Sequence, residues 1–318
     1  MPTQPIREKL SEFRETLDLF LERIEEDDKI LAAVLVGSLT EETIWSRESI
    51  HLWLIESDGV TKRLRYDGND ERIFRTFYEE GINLHVELIP RSRFKQMVEG
   101  ASRTAFSCNY FAKREMIFCR EPSIKKWFDQ ANIHATKDQE KERLAVTTWI
   151  IWGTKHLRNR LEFNRDLNQA RTDLLWIAHS VAAYEVVNAG EVYEEECIQR
   201  GLESNPELLN KIYLENLAKK PTKKFLKECL QGVLDFLDSI VAESLEPILH
   251  FLRKQKRTVA FSEICDQFAY SQLYPWHLES ACDWLEEHGA LEKVSAPFKM
   301  TKKSRTSVEE PAYFLLDS

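Results

Sequence analysis

Ile30–Val36 is an unbroken run of seven apolar residues that stops at Gly37-Ser38. A second strand-length run, Ser49-Ile50-His51-Leu52-Trp53-Leu54-Ile55, begins twelve residues after that glycine. Apolar runs this short read as buried strands rather than helices, and the glycine between them suits a tight turn. The chain is thereby committed to at least two inner strands joined through a Gly-Ser turn and a short polar segment.

The neighbouring segments extend the pattern. Residues 6 to 26 carry Leu10, Phe13, Leu17, Phe20 and Ile24 at intervals of three or four, the stripe of an amphipathic helix. Residues 62 to 66 read as a third strand closed by Asp67-Gly68, and residues 70 to 80 as a helix with Ile73, Phe74 and Phe77 inward. Residues 82 to 89 form another strand stopped by Pro90, 91 to 99 a helix, and 115 to 120 a short strand. This alternation predicts a mixed sheet with helices against it over residues 1 to 125.

From about residue 140 the strand signals vanish. Amphipathic stretches cover 140–161, 168–188, 206–218 and 222–243, with Phe225, Cys229, Val233, Phe236 and Ile240 at helical spacing. They predict an all-α bundle within residues 126 to 243. Residues 244 to 318 read as a winged helix-turn-helix. Helices are expected at 247–253, 261–268 and 275–288, and a hairpin from 291–294 with 312–315. The fold class is therefore α+β: a mixed sheet with helices, then a bundle, then a winged helix.

At 318 residues the chain is long enough for such a division. A net charge of −9 argues against a whole surface built for nucleic acid and leaves room only for a local basic patch. Six cysteines stand far apart without a Cys-x-x-Cys pair, which points to buried thiols rather than zinc or redox chemistry. No run reaches the ~20 apolar residues that span a bilayer, and the N-terminus lacks a signal-peptide core. A cytoplasmic location with no membrane partner is expected.

The Gly37-Ser38 turn and the strand starting at Ser49 resemble the signature of the DNA polymerase β-like nucleotidyltransferases. That family carries Gly-Ser, about ten residues, and then Asp-x-Asp opening a strand. Alternate residues of a strand face the same way, so the two aspartates hold metal ions together, and a third acid comes from a neighbouring strand. The resemblance implies a nucleotidyltransferase-type fold, with Gly37, Ser38 and Ser49 at the phosphates. Ser49 and His51 occupy the positions of the aspartate pair. Leu84-His85-Val86-Glu87-Leu88-Ile89-Pro90 looks like the third strand, with His85 at the acid's position and Glu87 one repeat on.

Glu87 is then the remaining hard anionic ligand and the one candidate catalytic acid. One carboxylate and two imidazoles suit magnesium poorly; His51, His85 and Glu87 would take iron or zinc only if they converge. A divalent metal is the only cofactor this set admits. Glu41, Glu42, Glu48 and Asp58 are the other acids near the turn.

Lys155-His156-Leu157-Arg158 and the following Asp166 to Arg171 resemble the helical substrate domain of aminoglycoside-type nucleotidyltransferases, which implies a phosphate-facing role for Lys155 and Arg158. The three-part order resembles that of bacterial nucleotidyltransferase-like proteins, whose aspartate pair is not always kept.

The expected function is a pseudoenzyme of that fold, binding a nucleotide or other phosphate-bearing ligand in a regulatory role. Two alternatives stay open: an active transferase with an atypical metal site, and a DNA-binding regulator or protein-interaction module. In the C-terminal module, Lys299, Lys302, Lys303 and Arg305 are the candidate nucleic-acid contacts, with Arg253-Lys254-Gln255-Lys256-Arg257 beside them. The third helix there carries Glu279, Asp283, Glu286 and Glu287, which favours a protein partner over DNA.

Overall fold

A strand that is apolar at every position must be covered on both faces, and Ile30–Val36 is. In a computed structural model, which describes residues 4–37, 49–60, 73–98, 114–130, 136–163, 166–191, 197–268, 273–301 and 305–316, the chain divides into two compact units, Met1–Ile133 and His134–Ser318.

In the first unit α1 (Gln4–Ile24) leads into a five-stranded sheet. Its strands are β1 (Ile30–Val36), β2 (Ser49–Glu56), β3 (Ile73–Glu79), β4 (Ile82–Pro90) and β5 (Arg114–Cys119), in the order β3-β4-β2-β1-β5. β2 and β4 run parallel; β1–β2, β1–β5 and β3–β4 are antiparallel. Ala33, Leu35, Ile50, Leu52, Leu54, Leu84 and Val86 pack against Phe13, Leu17, Phe20 and Leu21 of α1. The opposite face buries Ala32, Val34, Val36, Trp53, Ile55 and Ile89 against α2 (Arg91–Val98) and against Ile124 of α3 (Pro122–Gln130). Two local devices hold those covering helices. Asp58 Oδ1 accepts from Ser92 N at 2.9 Å and Ser92 Oγ at 2.7 Å, capping α2. Arg91 reaches Glu121 at 2.6 Å and Ser123 at 3.0 Å while its guanidinium lies over Trp127.

Residues 73–79 correct the sequence reading: they form strand β3, not a helix. Ile73, Phe74 and Phe77 mimic a helical stripe, but the segment is dense in β-branched and aromatic residues and pairs with β4 from Ile73↔Leu88 to Glu79↔Ile82. As an edge strand it is largely exposed, with Phe74 62% and Tyr78 73% accessible. The expected strand at 62–66 and the turn at Asp67-Gly68 lie outside the described residues.

The second unit holds α4 (Thr136–Phe163) and α5 (Leu167–Asn188), then α6 (Cys197–Ser204) and α7 (Pro206–Leu209). Asn210–Glu215 continues from α7 in π geometry, α8 (Asn216–Ala218) follows, and α9 (Lys223–Ser244) is the last long helix. Asp166 caps α5 through the amides of Asn168 and Gln169, and Thr222 caps α9 through Phe225 N.

The chain continues through α10 (Glu246–Gln255), β6 (Val259–Ala260), α11 (Phe261–Gln267), α12 (Pro275–Glu287), β7 (Leu291–Phe298) and β8 (Val308–Leu315). The three strands form a sheet in the order β6-β8-β7. The hairpin is longer than the sequence predicts, pairing Leu291↔Leu315 through Phe298↔Val308. One hydrophobic core runs without a break from Leu144 of α4 to Tyr313 of β8.

Candidate functional site

Parallel pairing of β2 and β4 sets Ser49 opposite Asn83, His51 opposite His85 and Trp53 opposite Glu87. Opposed residues share a face of the sheet. β1 adds Val36 beside His51, and β3 adds Thr76 beside His85. The row therefore reads Thr76, His85, His51, Val36 across four strands.

The two imidazoles that replace the expected acids are in contact. Their ring centroids are 4.9 Å apart and nearly perpendicular at 85°. Ser49, two residues before His51 and so on the same face, places its Oγ 3.2 Å from His51 Nε2. Among the described residues the His85 ring makes no hydrogen bond; its neighbour is the His51 ring. Burial grades along the strands. Ser49 and His51 are half-buried and Asn83 and His85 exposed, whereas Trp53, Glu87 and Ile89 are buried. Among the described residues the face is thus covered by α2 and α3 at one end and open at the end carrying Ser49, His51 and His85. Gly37 closes β1 at that same end with φ 87, a backbone that side-chain-bearing residues rarely adopt. Ser38, Glu41, Glu42 and Glu48 lie outside the described residues.

Glu87 does not join the histidines at the open end. It sits one strand repeat further on, roughly 6.6 Å along the backbone, and is 5% exposed in register with Trp53. Among the described residues no group of three or more His, Cys, Asp or Glu side chains could hold a metal ion. The three-ligand centre of His51, His85 and Glu87 is therefore corrected to a histidine pair with a separate, buried carboxylate. The two divalent cations implied by the family resemblance do not fit this donor set, since magnesium is held by clustered oxygens. Asp58, the remaining described acid among those near the turn, is engaged in capping α2.

Lys155 and Arg158, expected at phosphates, each meet an acid within the second unit. Lys155 Nζ lies 2.9 Å from Asp283 Oδ2, and Arg158 Nη1 lies 3.9 Å from Glu287 Oε2. Both cations of α4 thus face acids of α12. Asp283 also accepts from Lys293 of β7 at 2.7 Å and from the Tyr313 hydroxyl of β8 at 3.3 Å. Burial pushes the Asp283 carboxyl up, but the hydrogen bonds from Lys293 and Lys155 outweigh it and hold the group below the usual aspartate value. This carboxylate hub was not legible in the sequence, because its partners come from three separate elements, α4, β7 and β8.

The remaining basic candidates divide. Lys299 and Arg305 are exposed beside the hairpin, while Lys302 and Lys303 lie outside the described residues. Arg253 pairs with Glu246 at 2.9 Å, and Arg257 pairs with both oxygens of Glu263. Trp149 and Trp152 pack beside His277 in the second unit, and Trp176 is 70% exposed.

A thiol–imidazole pair was not anticipated: Cys197 Sγ lies 3.6 Å from His179 Nε2. Burial pushes the Cys197 thiol up to about 12, so it stays protonated and is no nucleophile at neutral pH. Cys229 and Cys265 are likewise pushed up to about 11 by burial.

No protein-family model and no curated protein sequence matches this chain. Among solved structures it is similar to the nucleotidyltransferase-like protein from Exiguobacterium sibiricum 255-15, determined at 1.90 Å resolution. The likeness covers 95% of this chain and 99% of that one, at 14% sequence identity and a TM-score of 0.64. The chain has a nucleotidyltransferase-like fold. No helix among the described residues is long and apolar enough to cross a membrane.

Proposed function

We propose that this protein is a catalytically inactive member of the nucleotidyltransferase-like fold that binds a nucleotide or another phosphate-bearing ligand and acts as a regulator in the cytoplasm. The observation that carries this reading is the register of β2 and β4. It sets His51 against His85 at the open end of the sheet, where transfer chemistry needs clustered acids. Ser49 adds a hydroxyl beside His51, and Gly37 ends β1 at the same end. Nucleotidyl transfer must offset the charge of a triphosphate and activate an attacking hydroxyl, and a buried, separate Glu87 does neither.

The test pairs two measurements on the full chain. Incubation with α-labelled nucleoside triphosphates, magnesium or manganese, and protein and nucleic-acid acceptors yields no labelled product. Equilibrium dialysis of the same mixtures finds label bound. A labelled product that disappears in Glu87→Ala would overturn the reading in favour of an active transferase with an atypical metal site.

For the C-terminal module, the winged-helix reading is supported by the order helix, short strand, two helices and hairpin. Asp283 and Glu287 of its third helix engage Lys155 and Arg158 of α4. That favours a packing and protein-docking role over major-groove reading, for which the third helix would have to meet phosphates. Salt-sensitive duplex binding abolished by reversing the charge of Lys299 and Arg305 would restore the DNA reading.

A further inference from the structure

We infer that the His51–His85 pair recognises the phosphate group directly, as a metal-independent anion site, in place of the cation bridge that the acids of such a fold would hold. The inference rests on the phosphate-binding reading above and adds how the charge is met.

Three features of the open sheet end carry it. Carboxylates at the positions of Ser49, His51 and His85 would repel a phosphate and would need cations between. The groups present are instead a hydroxyl and two imidazoles; the Ser49–His51 bond takes up one donor between them, and the exposed His85 ring can donate to an anionic oxygen. The imidazoles are also in contact, with ring centroids 4.9 Å apart at 85°, so an anion held by one lies beside the other. Finally, the pair is accessible and positioned. His85 is exposed, and His51 is oriented by Ser49 Oγ at 3.2 Å. Among the described residues the nearest carboxylate on this face, Glu87, is 5% exposed and stands a strand repeat away beside Trp53.

Isothermal titration of the full chain with inorganic tripolyphosphate, once in EDTA and once in excess magnesium, tests this. The expected result is binding in EDTA that magnesium leaves unchanged or weakens, because magnesium competes for the same oxygens. His85→Ala weakens binding in EDTA by about tenfold, the loss of a charge-assisted hydrogen bond. His85→Asp, which returns a carboxylate to the position, weakens it further. His85 is exposed, so both variants keep the wild-type near-ultraviolet circular dichroism.

Binding that requires magnesium would overturn the inference and leave the phosphate-ligand reading standing. Binding in EDTA that neither His51→Ala nor His85→Ala alters would also overturn it, by moving the anion to another site. Absence of binding in both buffers would overturn the inference and the phosphate-ligand reading together.

Discussion

Lys155 Nζ lies 2.9 Å from Asp283 Oδ2, joining the first long helix of the second unit to a helix 128 residues further along the chain. Lys293 and Tyr313 meet the other oxygen of the same carboxylate. Asp283→Ala removes the acceptor for all three. It should destabilise the second unit by about 1–3 kcal/mol, the range for a partly buried hydrogen-bonded charge with half-exposed partners. Urea unfolding followed by tryptophan fluorescence measures this. In a double-mutant cycle, Lys155→Ala should cost much less in the Asp283→Ala background than alone.

The same carboxylate gives a pH dependence of known sign. Despite its burial, the lysine hydrogen bonds hold Asp283 below its unfolded value. Its contribution is therefore fully present above an ordinary aspartate pKa of about 3.9 and is lost as pH falls through the depressed folded value. Wild type should lose stability more steeply than Asp283→Asn on acidification below about pH 4. Lys293 shows the opposite case. Burial lowers its pKa, the bond to Asp283 outweighs that, and the raised value means its contribution fades only as pH rises through it. Melting temperatures of both proteins across the acid range read the difference.

Gly201 of α6 lies against Ala182 of α5. A Cβ built there would lie 2.5 Å from Ala182 Cβ, 2.7 Å from Ala182 Cα and 2.8 Å from Leu209 Cδ1. Alanine is the better helix former by about 1 kcal/mol, but the backbone carbon of Ala182 cannot yield as a side-chain tip would. Gly201→Ala should therefore destabilise the protein by about 1–3 kcal/mol. An unchanged or raised urea midpoint would refute the close approach.

Cys197, Cys229 and Cys282 are buried, and desolvation raises each thiol above its ordinary pKa. The thiolate is the reacting species, so these thiols should resist an aromatic disulfide reagent at neutral pH in the native protein and react fully in denaturant. Rapid native reaction of Cys197 would mean that its His179 neighbour activates it.

Much of this architecture was legible because burial writes itself into the sequence. Ile30–Val36 and Ile82–Pro90 are sealed by a core on at least one face and read as strands from composition. Pro275 in the first turn and Gly289 after the last mark α12 from both ends. Edge strand β3 was misread because exposure removed the alternation a half-buried strand would show, leaving an accidental helical spacing of Ile73, Phe74 and Phe77. His51 and His85 were both picked out by position along their own strands. Their contact depends on β2 and β4 being parallel neighbours, which no local pattern encodes. The Asp283 hub was invisible for the same reason, as was the pairing of Lys155 and Arg158 with acids of α12.

Hydrogen–deuterium exchange of the full chain, with and without a saturating nucleoside triphosphate, asks most directly whether the open sheet end is a ligand site. Slowed exchange concentrated in 49–56 and 82–90 is expected, and its loss in the His85→Ala protein. Protection confined to residues 291–315, or none in either strand, would contradict it.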